Sequence, residues 1–132
     1  MAENDKVEII NIMNLYGFAL DARAWDLFDL IFTDDVEAVF GPAGAGWKGL
    51  DEFKASFEMF HRTLDSHQHT MMGHVIQVDG DTATAIWPMQ DRLFWDDGKT
   101  MTGYGHYHET YLKQDGRWRI AQQRLTRLIM EA

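Results

Sequence analysis

The order of patterns along the sequence predicts an α+β domain: a cone-shaped, strongly curved antiparallel sheet with three N-terminal helices packed in its concavity. Apolar residues recur at helical spacing through most of the first half of the chain. In the second half, three Asp-Gly steps separate long strand-like stretches, and Asp-Gly is a strong hairpin signal. Because sheets twist, strands this long must coil, and the curled sheet encloses an apolar interior with an open mouth. The 132 residues are expected to form one domain, 1–132.

The three helices are predicted from apolar spacing and from one helix-start signal. Asp5 with Glu8 resembles a capping box, and apolar residues then recur at helical spacing as far as Leu20. A second, short helix is predicted over residues 23–32. A third, amphipathic helix is predicted over about 51–64.

The strands fall in two places along the chain. One early strand is predicted over residues 35–40, followed by the loop GPAGAG at 41–46. Four long strands, expected to form an antiparallel meander, are predicted over 68–78, 82–95, 100–113 and 117–129.

Composition excludes several classes of function. The net charge of −9 argues against binding to nucleic acid or to an anionic membrane surface, because both need basic patches. The absence of cysteine removes disulfides, thiolate metal sites and cysteine nucleophiles. The N-terminal stretch MAENDKVEII lacks the basic and apolar regions of a signal peptide, and no apolar run is long enough to span a membrane. A cytoplasmic location is therefore expected.

Three stretches of the sequence carry a family resemblance. They are YGFALDARAWDLFDLIFTDDVEAVF (16–40), HTMMGHVIQVDGDTATA (69–85) and LKQDGRWRIAQQRL (112–125). Together they resemble the SnoaL-like branch of the nuclear-transport-factor-like cone-fold superfamily over nearly the whole chain. That superfamily includes dehydratases, dehydrochlorinases, isomerases, cyclases, epoxide hydrolases and non-catalytic binders, so the resemblance implies the fold more specifically than the function.

The resemblance also implies a site. In scytalone dehydratase, bile-acid 7α-dehydratase and a dehydrochlorinase, an aspartate after the first helix is paired with a histidine at the start of a long strand. The matching residues here are Asp21 and His69, with Tyr16 as the first-helix tyrosine and Asp91 near a further acidic partner. The resulting hypothesis is a cofactor-independent lyase of the dehydratase type acting on a small hydrophobic or aromatic cyclic substrate. The alternatives are an isomerase or cyclase of the same fold, or a non-catalytic binder.

The residues themselves support the pair without deciding it. Asp21 ends an apolar helical run, where a buried carboxylate is costly without a partner. A neutral imidazole is a good general base, and a carboxylate behind it fixes its tautomer. In the alternative reading, Asp21 bonds to Arg23, His69 is a half-buried strand residue, and Tyr16 is a core aromatic residue.

Asp91 and Tyr107 are predicted to bind the substrate. Tyr107 alternates in phase with Gly103 and Gly105, whose missing side chains would leave room for a ligand. Packing alone explains Tyr107 equally well. A surface ion pair with the neighbouring Arg92 explains Asp91 equally well.

Trp87 and Phe40 complete the residues predicted to contact the substrate. In a non-catalytic protein, the Trp87 side chain would instead help to fill the pocket. Arg124 and Arg127 have opposite strand parity, so at most one of them faces the pocket, and a solvated position at the rim is expected for it.

No metal site is predicted, although the histidines raise the question. His67 and His69 share one strand face, as do His106 and His108, and metals can use this spacing. Neither pair is followed by a glutamate at the position that cupins use.

The other histidines are assigned minor positions. His67 is expected near the frayed start of its strand, and His74 is expected to point away from the pocket. His61 lies at the end of the third predicted helix, where a cation would interact favourably with the helix dipole.

A homodimer is expected, with a trimer as the alternative. The open sheet would pair through an apolar outer face. The residues predicted to supply that face are Ile86, Met101, Leu112, Leu125 and Ile129.

Overall fold

The computed structural model describes residues 2–40 and 46–132. The helical elements within these ranges are α1 (Ala2–Ala22), a 3₁₀ turn (Trp25–Leu27), α2 (Phe28–Ile31) and α3 (Leu50–His61). The strands are β1 (Phe32–Val39), β2 (Gly46–Lys48), β3 (Leu64–Met71), β4 (Val75–Asp79), β5 (Thr82–Trp95), β6 (Thr100–Gln114) and β7 (Arg117–Glu131). The three helices and the curved, mostly antiparallel seven-stranded sheet confirm the predicted α+β cone.

The sheet has the strand order β2-β1-β7-β6-β5-β3, and β4 pairs with β5 beside β3. One pairing is not antiparallel, since β1 runs parallel to β7. The long strands β5, β6 and β7 pair along most of their lengths. They form the curved wall against which the helices pack, and one apolar core joins helix and sheet residues.

The strand predicted over 68–78 is two strands, β3 and β4, which pair with different ends of β5. The break lies opposite Pro88, whose carbonyl accepts a hydrogen bond from the Met72 N–H at 2.9 Å. In an antiparallel ladder the N–H and C=O of one residue face the same neighbouring strand. Proline has no N–H to donate on that side, so the ladder with β3 ends there.

Other element boundaries also differ from the prediction. The helix predicted over 23–32 is a 3₁₀ turn and one α-helical turn, and β1 begins at Phe32. The third helix ends at His61 rather than near residue 64. The loop predicted over 41–46 lies outside the described residues except for Gly46, which begins β2.

The predicted apolar outer face is wrong at two positions. Met101 and Leu125 line an internal cavity and do not lie on the outside. Ile86 and Ile129 are exposed, at 41% and 53% respectively, as the prediction requires.

Among the described residues, every helix is too short or too polar to span a membrane.

Candidate functional site

The cone encloses a cavity of about 420 Å³, within the size range of small-molecule sites. Its walls are mainly apolar, formed by Leu20, Phe40, Trp47, Phe57, Phe60, Leu93, Trp95, Met101, Leu125 and Met130. A smaller polar set also lines it, formed by Tyr16, Ser56, His61, His69, Asp91, Tyr107 and Arg127. Polar groups in an apolar cavity of this kind orient a ligand and can act on it.

The end of α1 fixes the position of Asp21. Arg23 adopts a left-handed backbone conformation with φ of 56°. The Ala24 N–H bonds to the Ala19 carbonyl, and the Arg23 N–H bonds to the Leu20 carbonyl. These two bonds form the Schellman motif that commonly ends helices. Asp21 therefore sits in the last helical turn, with its carboxylate directed towards β3.

Asp21 and His69 are in direct contact. The Asp21 Oδ1 atom accepts a hydrogen bond from the His69 Nδ1–H at 3.0 Å and another from the His69 backbone N–H at 2.9 Å. Donation from Nδ1 leaves the lone pair of the neutral ring on Nε2. The His69 side chain is only 7% exposed, and it lines the cavity. The arrangement has the geometry of an oriented general base.

The electrostatics of Asp21 suit this role. Burial by itself raises the pKa of the carboxyl, but the facing imidazoles of His67 and His69 outweigh burial and bring the pKa to about 2. The carboxylate is therefore ionised at neutral pH, and it would stabilise the positive charge that His69 gains on accepting a proton. Arg23 does not pair with Asp21, since its guanidinium donates to the Leu64 and Asp65 carbonyls.

His67 is not at a frayed strand end, as the sequence suggested. Its side chain is 1% exposed, and its Nδ1 lies 3.7 Å from the Asp21 Oδ1. Within the described part of the chain, neither ring nitrogen has a hydrogen-bond partner. The parity that His67 shares with His69 on β3 was the signal for this position, because residues two apart on a strand face the same side.

The structure contradicts the expectation for His61 and agrees with the expectation for His74. His61 is buried and donates from Nδ1 to the Phe57 carbonyl at 2.7 Å. Burial lowers the pKa of His61 to about 4, so the ring is neutral and the expected cation at the helix end is wrong. His74 is exposed outside the cavity, with its ring centroid 5.0 Å from that of Trp87, as expected for a residue that points away.

Asp91 is buried and paired with Arg127, not with Arg92 at the surface. Two parallel hydrogen bonds of 2.9 Å join the guanidinium to the two carboxylate oxygens. Burial opposes the charge of Arg127, but the pair with Asp91 raises its pKa. The predicted solvated rim position for Arg127 is therefore wrong. The space left by Gly103 holds this ion pair, since a Cβ there would overlap both charged groups.

Tyr16 and Tyr107 are fully buried side by side. Their ring centroids lie 5.6 Å apart in an edge-to-face arrangement, and both residues line the cavity. Burial raises the pKa of each phenol, so both are protonated and can donate hydrogen bonds. Among the residues that the structure describes, no group accepts a hydrogen bond from the Tyr16 hydroxyl.

The two aromatic residues predicted to contact the substrate have different positions. Phe40 lines the cavity beside Trp47, with ring centroids 5.7 Å apart. Trp87 is buried and is not part of the cavity wall, so the geometry does not support its predicted substrate contact. Trp47 and Trp95 line the cavity although no sequence pattern distinguished them from ordinary core aromatics.

Comparison with known proteins gives a consistent picture. The family described as SnoaL-like domain matches residues 2–124. A protein of Gibberella zeae named as a probable cyclase, FGR4, is 27% identical over 121 residues, covering 82% of this chain and 81% of that protein. A provisionally named scytalone dehydratase of Novosphingobium aromaticivorans has a TM-score of 0.88 and 23% identity, covering 99% of this chain and 91% of the other. A nuclear transport factor 2-like superfamily protein of Salmonella enterica has a TM-score of 0.88 and 19% identity, covering 98% and 94%.

Proposed function

The chain belongs to the SnoaL-like domain family, and from that premise we propose that it is a cofactor-independent lyase of the dehydratase type. The substrate is a small hydrophobic or aromatic cyclic molecule with an acidic C–H next to a carbonyl and a hydroxyl one carbon further. An apolar cavity of about 420 Å³ with few polar groups supports this substrate class.

The contact between Asp21 and His69 carries the proposal. A hydrogen bond of 3.0 Å directs the Nδ1–H of His69 at the carboxylate and leaves Nε2 as the basic atom. His69 is also the histidine that both contacts a carboxylate and lines the cavity. An imidazole held in this way suits proton abstraction near neutral pH.

The reaction follows from these positions. His69 Nε2 takes the proton from the acidic carbon, and Asp21 stabilises the resulting imidazolium. The electron pair of the broken C–H bond moves towards the carbonyl oxygen and then forms the new C=C bond as the C–O bond breaks. The leaving hydroxide takes a proton from the imidazolium and departs as water, which restores neutral His69.

The tyrosines and the buried ion pair support the developing charge. Tyr16 has a hydroxyl free to donate to the carbonyl oxygen or to the leaving hydroxyl, and Tyr107 lies beside it. Asp91 and Arg127 border the same cavity, and the guanidinium has N–H groups beyond the two that bind Asp91. In this proposal the pair orients a polar group of the substrate.

An isomerase or cyclase is the second candidate. The curated relative of Gibberella zeae is named as a cyclase, and the same base would shift a proton or help to close a ring without loss of water. Product mass separates the two candidates: a product lighter by one water indicates dehydration, and an unchanged mass indicates isomerisation or cyclisation.

The test measures turnover of a panel of cyclic β-hydroxy ketones by the wild type and two variants. His69→Ala and Asp21→Asn should each lower turnover by about 10²–10⁴-fold, the usual contribution of general base catalysis. His106→Ala, on the opposite face of the sheet, is the matched control, and far-UV circular dichroism verifies that each variant is folded. Full turnover by both variants would contradict the roles assigned to Asp21 and His69, whereas no turnover of the panel by the wild type would favour a non-catalytic binder.

The quaternary structure and location complete the proposal. We propose a cytoplasmic homodimer, with a trimer as the alternative. Exposed Val75 and Ile86, paired across β4 and β5, support an association surface on the sheet. Light scattering of the purified chain distinguishes monomer, dimer and trimer.

A further inference from the structure

We propose that Asp21, His67 and His69 form a binding site for one divalent transition-metal ion of the zinc type. The geometry alone supports the site. Its consequence for catalysis rests on the proposed function, because the ion would occupy the two residues assigned there to proton abstraction.

The three donor groups converge. One carboxylate oxygen and one nitrogen from each imidazole lie within 4.8 Å of one another. The Asp21 Oδ1 is 3.0 Å from the His69 Nδ1 and 3.7 Å from the His67 Nδ1. Donor atoms bound to one tetrahedral zinc ion at roughly 2.0–2.2 Å stand roughly 3.3–3.6 Å apart. Small side-chain rotations therefore bring the three atoms into zinc geometry.

The environment of the His67 ring also indicates a bound ligand. Its side chain is 1% exposed, and in the described ranges both ring nitrogens lack a hydrogen-bond partner. A buried polar group without a partner costs free energy, and native structures rarely leave one. A metal ion bound to one ring nitrogen would remove part of that cost.

The backbone holds the donors in place. His67 and His69 lie two residues apart on β3, where the ladder with β5 continues through both positions. Asp21 comes from the last turn of α1, so the third donor is on a different element. The sequence predicted no metal site because no acidic residue follows the histidine pairs at the cupin spacing. The third donor, Asp21, precedes them in the chain and meets them only in the fold.

Two of the three donors, Asp21 and His69, also border a second cavity, separate from the apolar one. This second cavity, of about 250 Å³, lies between α1 and β3. The Asp21 side chain is 29% exposed. Two imidazoles and one carboxylate suit zinc, cobalt or nickel better than calcium or magnesium, which prefer oxygen donors.

Metal binding and proton abstraction exclude each other. For the His69 Nδ1 to bind the ion, its proton moves to Nε2, and the ring stays neutral. Nε2 then carries a hydrogen and has no lone pair for the substrate. The metal-bound form is therefore an inactive state of the dyad of Asp21 and His69, and removal of the ion restores His69 as the base.

The first experiment uses Co²⁺ as the probe. The tag-free, chelator-dialysed chain is titrated with Co²⁺ and followed by visible absorption, and Zn²⁺ is then added to displace it. One Co²⁺ per chain should bind, and His67→Leu should weaken binding at least tenfold. The double variant His106→Ala/His108→Ala removes the histidine pair on the other strand and should bind as the wild type does. Binding lost in that double variant, or unchanged in His67→Leu, would overturn the proposal.

A second measurement does not depend on the folding of any variant. Crystals of the wild type soaked in Zn²⁺ should show an anomalous scattering peak between Asp21, His67 and His69. A peak only elsewhere would overturn the site.

Turnover separates this inference from the proposed function. Zn²⁺ should suppress wild-type turnover, and a chelator should restore it. If the ion binds at the site while the dyad variants keep full turnover, the metal site stands and the proposed function fails. If those variants lose turnover but no ion binds, the proposed function stands and the metal site fails.

Discussion

Glu109 offers a test of the core that needs no substrate. It is a fully buried carboxyl on the inner face of β6, 4% exposed, between Tyr107 and Tyr111. The Tyr111 hydroxyl and the Gln123 side-chain amide each donate to it at 2.6 Å. These bonds do not offset burial, which raises the pKa of Glu109 from its usual 4.5 to about 7.

The raised pKa makes stability depend on pH. Well below pH 4.5, Glu109 is protonated in both the folded and the unfolded chain, so its titration does not change the free energy of unfolding. As pH rises towards 7, the unfolded chain loses the proton while the folded chain keeps it, so the free energy of unfolding falls. A shift from 4.5 to about 7, at about 1.4 kcal/mol per unit, corresponds to a total loss of about 3 kcal/mol.

The perturbation that tests this value is Glu109→Gln, which keeps the shape of the side chain and removes its titration. Urea unfolding of the wild type and the variant from pH 5 to pH 8 measures the difference in their free energies of unfolding. We expect that difference to change by about 2–3 kcal/mol in favour of the variant across this range. Glu37→Gln, which removes a carboxyl that is 53% exposed, is the control and should follow the wild type. If the free energies of unfolding of the wild type and Glu109→Gln change with pH in parallel, burial does not raise the pKa of Glu109.

Two further predictions concern the buried ion pair between Asp91 and Arg127. Gly103→Ala places a Cβ against both charged groups, so it should lower the free energy of unfolding by about 1–3 kcal/mol. Gly73 has open space around it, so Gly73→Ala is the control and should not lower the free energy of unfolding in this way. Chemical denaturation measures both, and equal stability of the two variants would contradict the placement of the pair. Arg127→Met leaves the carboxylate of Asp91, 3% exposed, without its partner and should cost about 3–5 kcal/mol. The double variant with Asp91→Leu should recover part of that loss in the same assay, and no recovery would argue against a coupled pair.

Much of the fold could be predicted because its signals are local. The turns at 78–81, 95–99 and 114–117 each contain an Asp-Gly step, and strands begin or end beside all three. Strand breaks and parallel pairing depend on partners distant in sequence. The break between β3 and β4 faces Pro88, which lies beyond the broken segment, and no residue of β1 alone indicates that it pairs with β7.

The pairing of Asp21 with His69 could be predicted because the family pattern links these two residues, which are distant in sequence. Asp21 and His69 are 48 residues apart, and the contact between them depends on how α1 ends against β3. The burial of His67 and the pairing of Arg127 with Asp91 were not predicted, for a related reason. Strand parity gives the face on which a side chain lies, but the curvature of the sheet decides whether that face is solvent or cavity.

In the proposed reaction, His69, oriented by Asp21, removes a proton from a carbon atom of the substrate in the cavity. Solvent deuterium incorporation next to the carbonyl of a cyclic ketone that lacks the leaving hydroxyl isolates this step from the later loss of water. Mass spectrometry of the recovered ketone should show rapid exchange with the wild type and a loss of about 10²–10⁴-fold with His69→Ala. Exchange by His69→Ala at the wild-type rate would show that His69 is not the base.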